Sequence, residues 1–540
     1  MEEKKFNYTK LLCSKRPSYI NSDEKWSPAA PSKQRSFISD RSRILYCPAF
    51  RRLQQKAQVF SLETNSNVRS RLTHSLEVAD LGRRLATEIG YKLDTDKYEK
   101  EVAGFNVSKV VSIVENACLL HDIGNPPFGH FGEAAIKDWA RNRAKQLAHA
   151  GMTAENEQGQ PVWTVPLDTL MQDFEEFDGN PQGFRTVTRL FTDFGRHGLN
   201  LTYGTLLCAL KYARGAGEAV DLKAESIPKD IVKKAGYFQT EADLVAELCD
   251  VVNLPVHRRF PLTYIMEAAD DIAYCMSDIA DGIEKGLLTV GEFVEIFARK
   301  WDEQYGGDYP AEIEALLPEQ MKKKRGRKSQ KAEPAEAESR KPSFNRDFSV
   351  PWSTRATQEA AEVYVSDHAA IFRGEALPLM ERGGEMCRIF KIIRAVCEER
   401  LYPSIEAESI ELTGYAVISG ILRHYERILS LDFEAFEWLA DPQEAKRKHK
   451  AREELAGTEL PKVRLDVERR LYNRIDAGCV QAYRNAVKDL RQAPGLDAAD
   501  FAAREWWLRV HLLMDHISSM TDLAALETYQ MLEGIALMRT

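Results

Sequence analysis

The strongest constraint on this chain is a pair of neighbours, His121 and Asp122, set where an apolar helical run stops. Val110-Val111-Ser112-Ile113-Val114-Glu115-Asn116-Ala117-Cys118-Leu119-Leu120 reads as a core helix, and Ile123-Gly124-Asn125-Pro126-Pro127-Phe128-Gly129-His130 breaks it at once. An imidazole and a carboxylate at such a break offer a nitrogen and an oxygen ligand to one cation, while the helix behind them anchors in a core. Two remote segments extend the pattern: Arg71-Leu72-Thr73-His74-Ser75 upstream and Glu267-Ala268-Ala269-Asp270-Asp271 downstream. A lone histidine beside an apolar face is more often a hydrogen-bonded core residue. An adjacent His-Asp followed by Gly-Asn-Pro-Pro, with His74 and Asp270 added, points instead to a metal centre.

The rest of the pattern is helical. In Leu72, Leu76 and Ala79, and again in Leu81, Leu85 and Ile89, apolar residues recur mainly at fours with charge between them. Strand alternation is scarce, so the expected fold is all-α with at most a few short strands. A helix is expected to begin near Ser70, with Leu72 and Leu76 flanking an inward His74. Asp270 belongs to a helix that Pro261 opens, since proline suits a first helical position. Two imidazoles and two carboxylates leave coordination positions open for water and a phosphate oxygen. Such a mixed set accepts Mn²⁺, Fe²⁺, Co²⁺ or Zn²⁺, and Mg²⁺ where substrate oxygens contribute.

Bulk properties narrow the class. The 540 residues exceed the usual size of one domain, and 44% hydrophobic content supports a real core. A net charge of -8, from 74 basic and 82 acidic residues, argues against a general nucleic-acid coat, so any polyanion site must be a local cluster of Lys and Arg. No apolar stretch approaches the roughly 20 residues that span a bilayer, and no secretory apolar segment follows the start. The nine cysteines form no C-x-x-C pair. A reduced, cytoplasmic, soluble protein without membrane partners is expected.

Residues 321–342 are low in complexity, with a Lys/Arg-rich half and a Glu-rich half, and are expected to be a flexible insertion. The basic half is a weak candidate for DNA or RNA contact, because its acidic half nearly cancels its charge. Further loops are expected over 151–161 and 441–458. The resulting division is an N-terminal segment over 1–69, a metal-bearing core over 70–285, a helical continuation over 286–320, the insertion over 321–345 and a helical C-terminal region over 346–540.

Several stretches together resemble the HD-domain superfamily of metal phosphohydrolases, and most closely its bacterial deoxyguanosine triphosphate triphosphohydrolases. They are Ser39 to Arg43, Pro48 to Phe60, Arg71-Leu72-Thr73-His74-Ser75, the block from His121 to Glu133, Phe177-Asp178-Gly179-Asn180-Pro181-Gln182-Gly183, and Met266 to Tyr274. Looser similarity continues through Gly414 to Gly420 and Ile517 to Asp522. A bare H…HD…D is shared by many hydrolases; the HDIGNPPFGHFGE block is far more specific. The resemblance implies a Mg²⁺- or Mn²⁺-dependent hydrolysis of dGTP to deoxyguanosine and tripolyphosphate, by attack of metal-activated water at the α-phosphorus. It assigns His74, His121, Asp122 and Asp270 to the metal, His130 to acid/base work and Glu133 to its orientation. Without it, Glu133 would read as a carboxylate near a helix N-terminus.

Substrate contacts follow in the same way. Tyr274 and Asp278 lie four and eight residues after Asp270, on nearly one helical stripe, so an aromatic face and a carboxylate follow the metal ligand along a cleft. By resemblance Tyr274 meets the sugar face and Asp278 the sugar 3′-hydroxyl, together with Gln58. Arg71, one turn before His74, is a candidate for the triphosphate; Asn180, Lys211, Tyr212, Lys233, Lys234 and Arg470 are weaker candidates for substrate contact. One departure stands out: Asp476-Ala477-Gly478-Cys479-Val480 lacks the basic residues expected there in close relatives. The resemblance also implies a homo-oligomer, a tetramer or hexamer, and single-stranded DNA as an effector. Competing readings are a broad deoxynucleoside triphosphate hydrolase, an HD phosphodiesterase or 5′-nucleotidase, and a nucleic-acid-binding regulator that keeps the pocket as a nucleotide sensor. In the last of these the basic insertion and Trp506-Trp507 would matter most.

Overall fold

The structure is a computed structural model that describes residues 6–17, 34–94, 101–144, 146–147, 167–191, 195–306, 308–318, 342–456, 458 and 464–535. The loop expected over 151–161 and residues 321–341 of the insertion lie outside this set. The fold is all-α. Among the described residues, strand content amounts to one short parallel pair, Phe6–Asn7 beside Val102–Ala103. No helix among them is long and apolar enough to cross a membrane.

The helix Arg71–Leu93 is central. Ser70 caps it: its hydroxyl accepts the Thr73 amide, and the Thr73 hydroxyl accepts the Ser70 amide in return. Its buried face is His74, Ser75, Val78, Ala79, Leu81, Gly82, Leu85, Ala86 and Ile89, and it packs against Val107–Leu120, Thr263–Glu284 and Val350–Ser366. Leu72 is partly buried, but Leu76 is 48% exposed, contrary to the expectation that it flanks His74. Two residues along a helix turn a side chain by about 200°, which carries Leu76 off the buried stripe.

Two further expectations need correction. The helix bearing Asp270 spans Thr263–Glu284 with Leu262 at its N-cap, so Pro261 sits in the turn before it instead of at its first position. The segment expected as a loop over 441–458 is instead largely the helix Pro442–Ala456. Its sequence is rich in Glu, Ala, Lys and Arg, all strong helix formers, and Arg447 pairs with Glu444 one turn away. Apolar periodicity is a poor guide to such a polar surface helix.

Two hydrophobic clusters build the body. One gathers the N-terminal residues, the Arg71–Leu93, Val107–Leu120 and Thr263–Glu284 helices, and residues 344–401. The other joins Gly129–Trp139 to the C-terminal helices Ile405–Leu429, Ala477–Gln492 and Ala498–Ser519. The break after Asp122 thus passes the chain from one cluster to the other, and the cavity described below opens at that passage. Trp506 and Trp507 are both buried in the second cluster, so neither is presented as a stacking platform for a nucleic acid.

Candidate active site

His121 follows the last residue of Val107–Leu120, and its Nδ1 donates to the Cys118 carbonyl at 2.7 Å. A carbonyl can only accept, so Nδ1 carries the hydrogen and Nε2 presents a lone pair. His74 enters from the preceding helix Arg71–Leu93 and Asp270 from Thr263–Glu284. The Oδ1 of Asp270 lies 3.5 Å from Nε2 of His74 and 3.5 Å from Nε2 of His121. Ligand atoms of His74, His121 and Asp122 lie within 4.8 Å of one another.

Both Nε2 atoms are buried without a hydrogen bond. Buried polar atoms of this kind are normally satisfied, and a cation held between them would satisfy both. The charges agree. Burial would raise the Asp122 carboxyl, but Arg71, His121 and His74 hold it well below the usual range. Asp270 is likewise held low, by Lys211 and the two histidines, against its burial. Burial would lower His74, yet Asp270 and Asp122 pull it upward. That negative field is the one a divalent cation needs, and the N/O donor set suits Mg²⁺ or Mn²⁺ as well as softer ions.

Asp122 is tied on both oxygens: Arg71 Nη1 donates to Oδ2 at 2.7 Å and Asn125 Nδ2 to Oδ1 at 2.5 Å. The loop beyond it is fixed by close backbone approach. A Cβ on Gly124 would overlap the Gly183 amide, and one on Gly179 would overlap the Asn125 side chain. Glycines at these positions let His121 to Gly129 seat directly on the short helix Gly179–Arg185. Phe128, in a left-handed conformation (φ 60°), then starts the helix Gly129–Trp139. Its amide is received by Asp522, which also accepts the Ala57 amide. Lys56 donates to the carbonyls of Asn125 and Ser518, each at 2.6 Å.

The Gly129–Trp139 helix carries the second pair. His130 Nδ1 and Glu133 Oε2 are 3.1 Å apart, and Glu133 Oε1 accepts the Gly179 amide at 2.9 Å. Glu133 is buried, whereas the His130 side chain is 83% exposed and lines the cavity.

That cavity, about 430 Å³, is also lined by Gln58, Arg71, His121, Asp122, Asn180, Lys211, Tyr212, Lys234, Asp270 and Tyr274. Its cations are each held by a carboxylate: Arg71 by Asp122, Lys211 by Asp270 at 2.9 Å, and Lys234 by Asp178 at 2.6 Å. Asp278 is not on the wall. It is buried behind Tyr274 and Tyr402, and Tyr402 donates to its Oδ2 at 2.7 Å. Arg470 and Lys233 do not reach the cavity: Arg470 is exposed and bonds the Asp466 carbonyl, and Lys233 pairs with Asp230. Asp476, in the segment lacking basic residues, pairs with Arg52 away from the cavity.

Sequence reasoning missed Tyr402, Ile410 and Glu411, which close the cavity from the C-terminal half. No local pattern marks these residues, because their partners lie far off in the chain. Lys56, Asp178 and Asp522 each stood inside a matching stretch without a role.

The HD domain family matches residues 71–158, which include three of the four converging side chains, His74, His121 and Asp122. A deoxyguanosinetriphosphate triphosphohydrolase of Yersinia pseudotuberculosis serotype O:3 (strain YPIII) is 34% identical over 514 residues, covering 92% of this chain and 94% of that protein. One of Serratia proteamaculans (strain 568) is 35% identical over 513 residues, with the same coverage. With an HD domain and relatives matched along nearly their whole length, this chain belongs to the deoxyguanosinetriphosphate triphosphohydrolase family of HD-domain proteins.

Proposed function

We propose that the chain hydrolyses deoxynucleoside triphosphates, dGTP foremost, to the deoxynucleoside and intact tripolyphosphate, with water attacking the α-phosphorus. The observation that carries this reading is the convergence of His74, His121, Asp122 and Asp270, the last three lining one cavity together with the His130–Glu133 pair. Those four side chains would hold a divalent cation, Mg²⁺ or Mn²⁺, which would supply Lewis acidity toward a phosphoryl oxygen and lower the pKa of water.

The chain's own residues do the rest by placement and charge. Glu133 is anchored by the Gly179 amide and holds the Nδ1–H of His130, so Nε2 is the atom that delivers a proton to the departing 5′-oxygen. Arg71, Lys211 and Lys234 line the same wall and exchange part of their carboxylate pairing for phosphate oxygens. Gln58 and Tyr274 meet the sugar, with Asn180 and Tyr212 completing the wall. The HD core over 70–285 supplies the chemistry, and residues from the C-terminal half close the cavity. By resemblance, the working form is a homo-oligomer with single-stranded DNA as an effector, to be checked by light scattering and salt-dependent DNA binding.

Product analysis with the four deoxynucleoside triphosphates and GTP, in Mg²⁺ and in Mn²⁺, tests the reaction. Tripolyphosphate and deoxyguanosine from dGTP are expected. Orthophosphate or pyrophosphate release, or cleavage of phosphodiesters alone, would replace this reading.

A further inference from the structure

The residues from Ile123 to Gly129 separate the ligand Asp122 from His130, and most of them lie in turns between two helices. Helical hydrogen bonds therefore do not fix the interval between the metal side of the site and the proton donor. Two buried side chains behind the cavity grip it instead, one at each end. Lys56 Nζ donates to the Asn125 carbonyl at 2.6 Å, and the Asn125 side chain in turn donates to Asp122. Asp522 Oδ1 accepts the Phe128 amide at 3.0 Å, just ahead of His130. Phe128 is a non-glycine residue at φ 60°, a conformation that persists only where its surroundings hold it.

Both grips are anchored in the same two places. Lys56 also donates to the Ser518 carbonyl at 2.6 Å, an acceptor in the last turn of Ala498–Ser519 that its own helix leaves unpaired, so the amine caps that helix end. Asp522 opens the next helix, Asp522–Leu532, and its Oδ2 accepts the Ala57 amide at 3.1 Å. The Lys56 carbonyl accepts the Arg71 amide at 2.9 Å, at the start of the helix that carries His74. Lys56 and Ala57 thus join the C-terminal turn to the loop after Asp122 and to the His74 helix. Burial pushes the Lys56 amine down to about 7 against the pull of Asp522, but an amine that loses one hydrogen keeps two for its two carbonyls. The clip rests on geometry and not on charge. Neither residue lines the cavity, so neither meets a substrate held there.

We propose that Lys56 and Asp522 are positioning residues for the reaction: Lys56 sets the metal end of the interval between Asp122 and His130, and Asp522 sets its proton-donor end. The turn over 517–522 then aligns the two halves of the site from behind.

The inference rests on the proposed hydrolysis of deoxynucleoside triphosphates, and its test has two readouts. Mn²⁺ binding by calorimetry and steady-state hydrolysis of dGTP are measured for the full chain, Lys56→Met, Asp522→Asn, Glu133→Gln and the double variant Glu133→Gln/Asp522→Asn. Asp522→Asn keeps the shape but turns an amide donor against one of two backbone donors. It should lower kcat about tenfold and leave KM and the Mn²⁺ dissociation constant within about twofold. Because it acts through the His130–Glu133 pair, it should lower kcat by no more than about twofold where Glu133→Gln is already present. Lys56→Met leaves two buried carbonyls unpaired, one of them on Asn125, and should weaken Mn²⁺ binding about tenfold. A general loss of stability would not confine itself to one end or to one background. Equal kcat losses in both backgrounds, no kcat loss in Asp522→Asn, or a Mn²⁺ affinity that Lys56→Met leaves unchanged or that falls alike in both variants overturns the inference. If either variant does not fold, the readout of the other decides. A full chain that releases no tripolyphosphate from dGTP overturns the proposed function and not the grip on the loop, which the Mn²⁺ comparison then decides.

Discussion

Glu133 grips His130 with one oxygen and the Gly179 amide with the other, at 3.1 and 2.9 Å. A side chain that is 83% exposed thus takes its direction from a buried carboxylate whose position is set by a different helix. Removing the charge while keeping the shape should misdirect the imidazole without emptying the metal centre. Glu133→Gln is expected to lower kcat by about 10- to 100-fold, and His130→Ala by about 100-fold or more, with metal content unchanged. Metal analysis of the purified variants beside their kinetics checks this. Loss of metal from His130→Ala would contradict the assigned role.

The four-ligand set makes a different prediction. His121→Ala and Asp270→Ala should abolish turnover and lower metal occupancy together. In the unmodified chain, Mn²⁺ at about one hundred times its dissociation constant should stabilise the fold by about 3 kcal/mol, since it binds only the assembled site. Thermal melts with and without the ion read this directly. A melting temperature that ignores Mn²⁺ in the unmodified chain, or rises equally in Asp270→Ala, would count against the centre.

What could be read from the sequence was what is local or strongly patterned. His121 and Asp122 needed only their adjacency at a helix break, and Ser70 announced its helix by capping. Asp270 was reachable through the family's motif, and Tyr274 by its spacing from Asp270. Tyr402 was not: it meets Asp278 across more than a hundred residues, and nothing in Leu401-Tyr402-Pro403 distinguishes it from an ordinary turn, while Asp522 closed a matching stretch without its contact to Phe128 being legible. Asp278 shows the limit of helical spacing, which put it on the right stripe but not behind a tyrosine supplied by another part of the chain. The Pro442–Ala456 helix escaped because its stability comes from propensity and surface pairs instead of an apolar face.

Acid should weaken the C-terminal cluster. His516 is buried, its Nδ1 accepts the Asp476 amide, and burial is the main cause that pushes its pKa down to about 4. The folded value lies below the unfolded value of about 6.5, so the unfolded chain binds more protons between these pH values and stability falls as pH drops through them. Arithmetic on that shift gives a loss on the order of 2 kcal/mol between pH 7 and pH 5 from this residue. His511, buried on the same helix and also held low by burial and Arg185, adds in the same direction. Urea melts of the unmodified chain and of His516→Gln at both pH values check the sign: the variant, though less stable at pH 7, should lose less on acidification.

The backbone contact at Gly124 offers a test of how the ligand pair is held. A methyl group there would overlap the Gly183 amide, which is main chain and cannot rotate away. The loop must therefore lift from Gly179–Arg185, and three things move with it. Asn125 loses its place beside Gly179, Asp122 loses the Asn125 hydrogen bond, and Glu133 loses a well-placed Gly179 amide. Gly124→Ala is expected to cost about 1–3 kcal/mol in stability, as overpacking commonly does. It should also lower both metal affinity and kcat, since one displacement disturbs the metal ligand and the acid/base pair together. Gly195→Ala is a control for the added methyl without overlap, because nothing lies within 4 Å of a Cβ there, and its φ of 92° adds a left-handed strain that Gly124 does not carry. It should cost some stability and leave metal affinity intact. If Gly124→Ala binds metal and turns over as the unmodified chain does, close seating of the loop is not what aligns His121, Asp122 and His130.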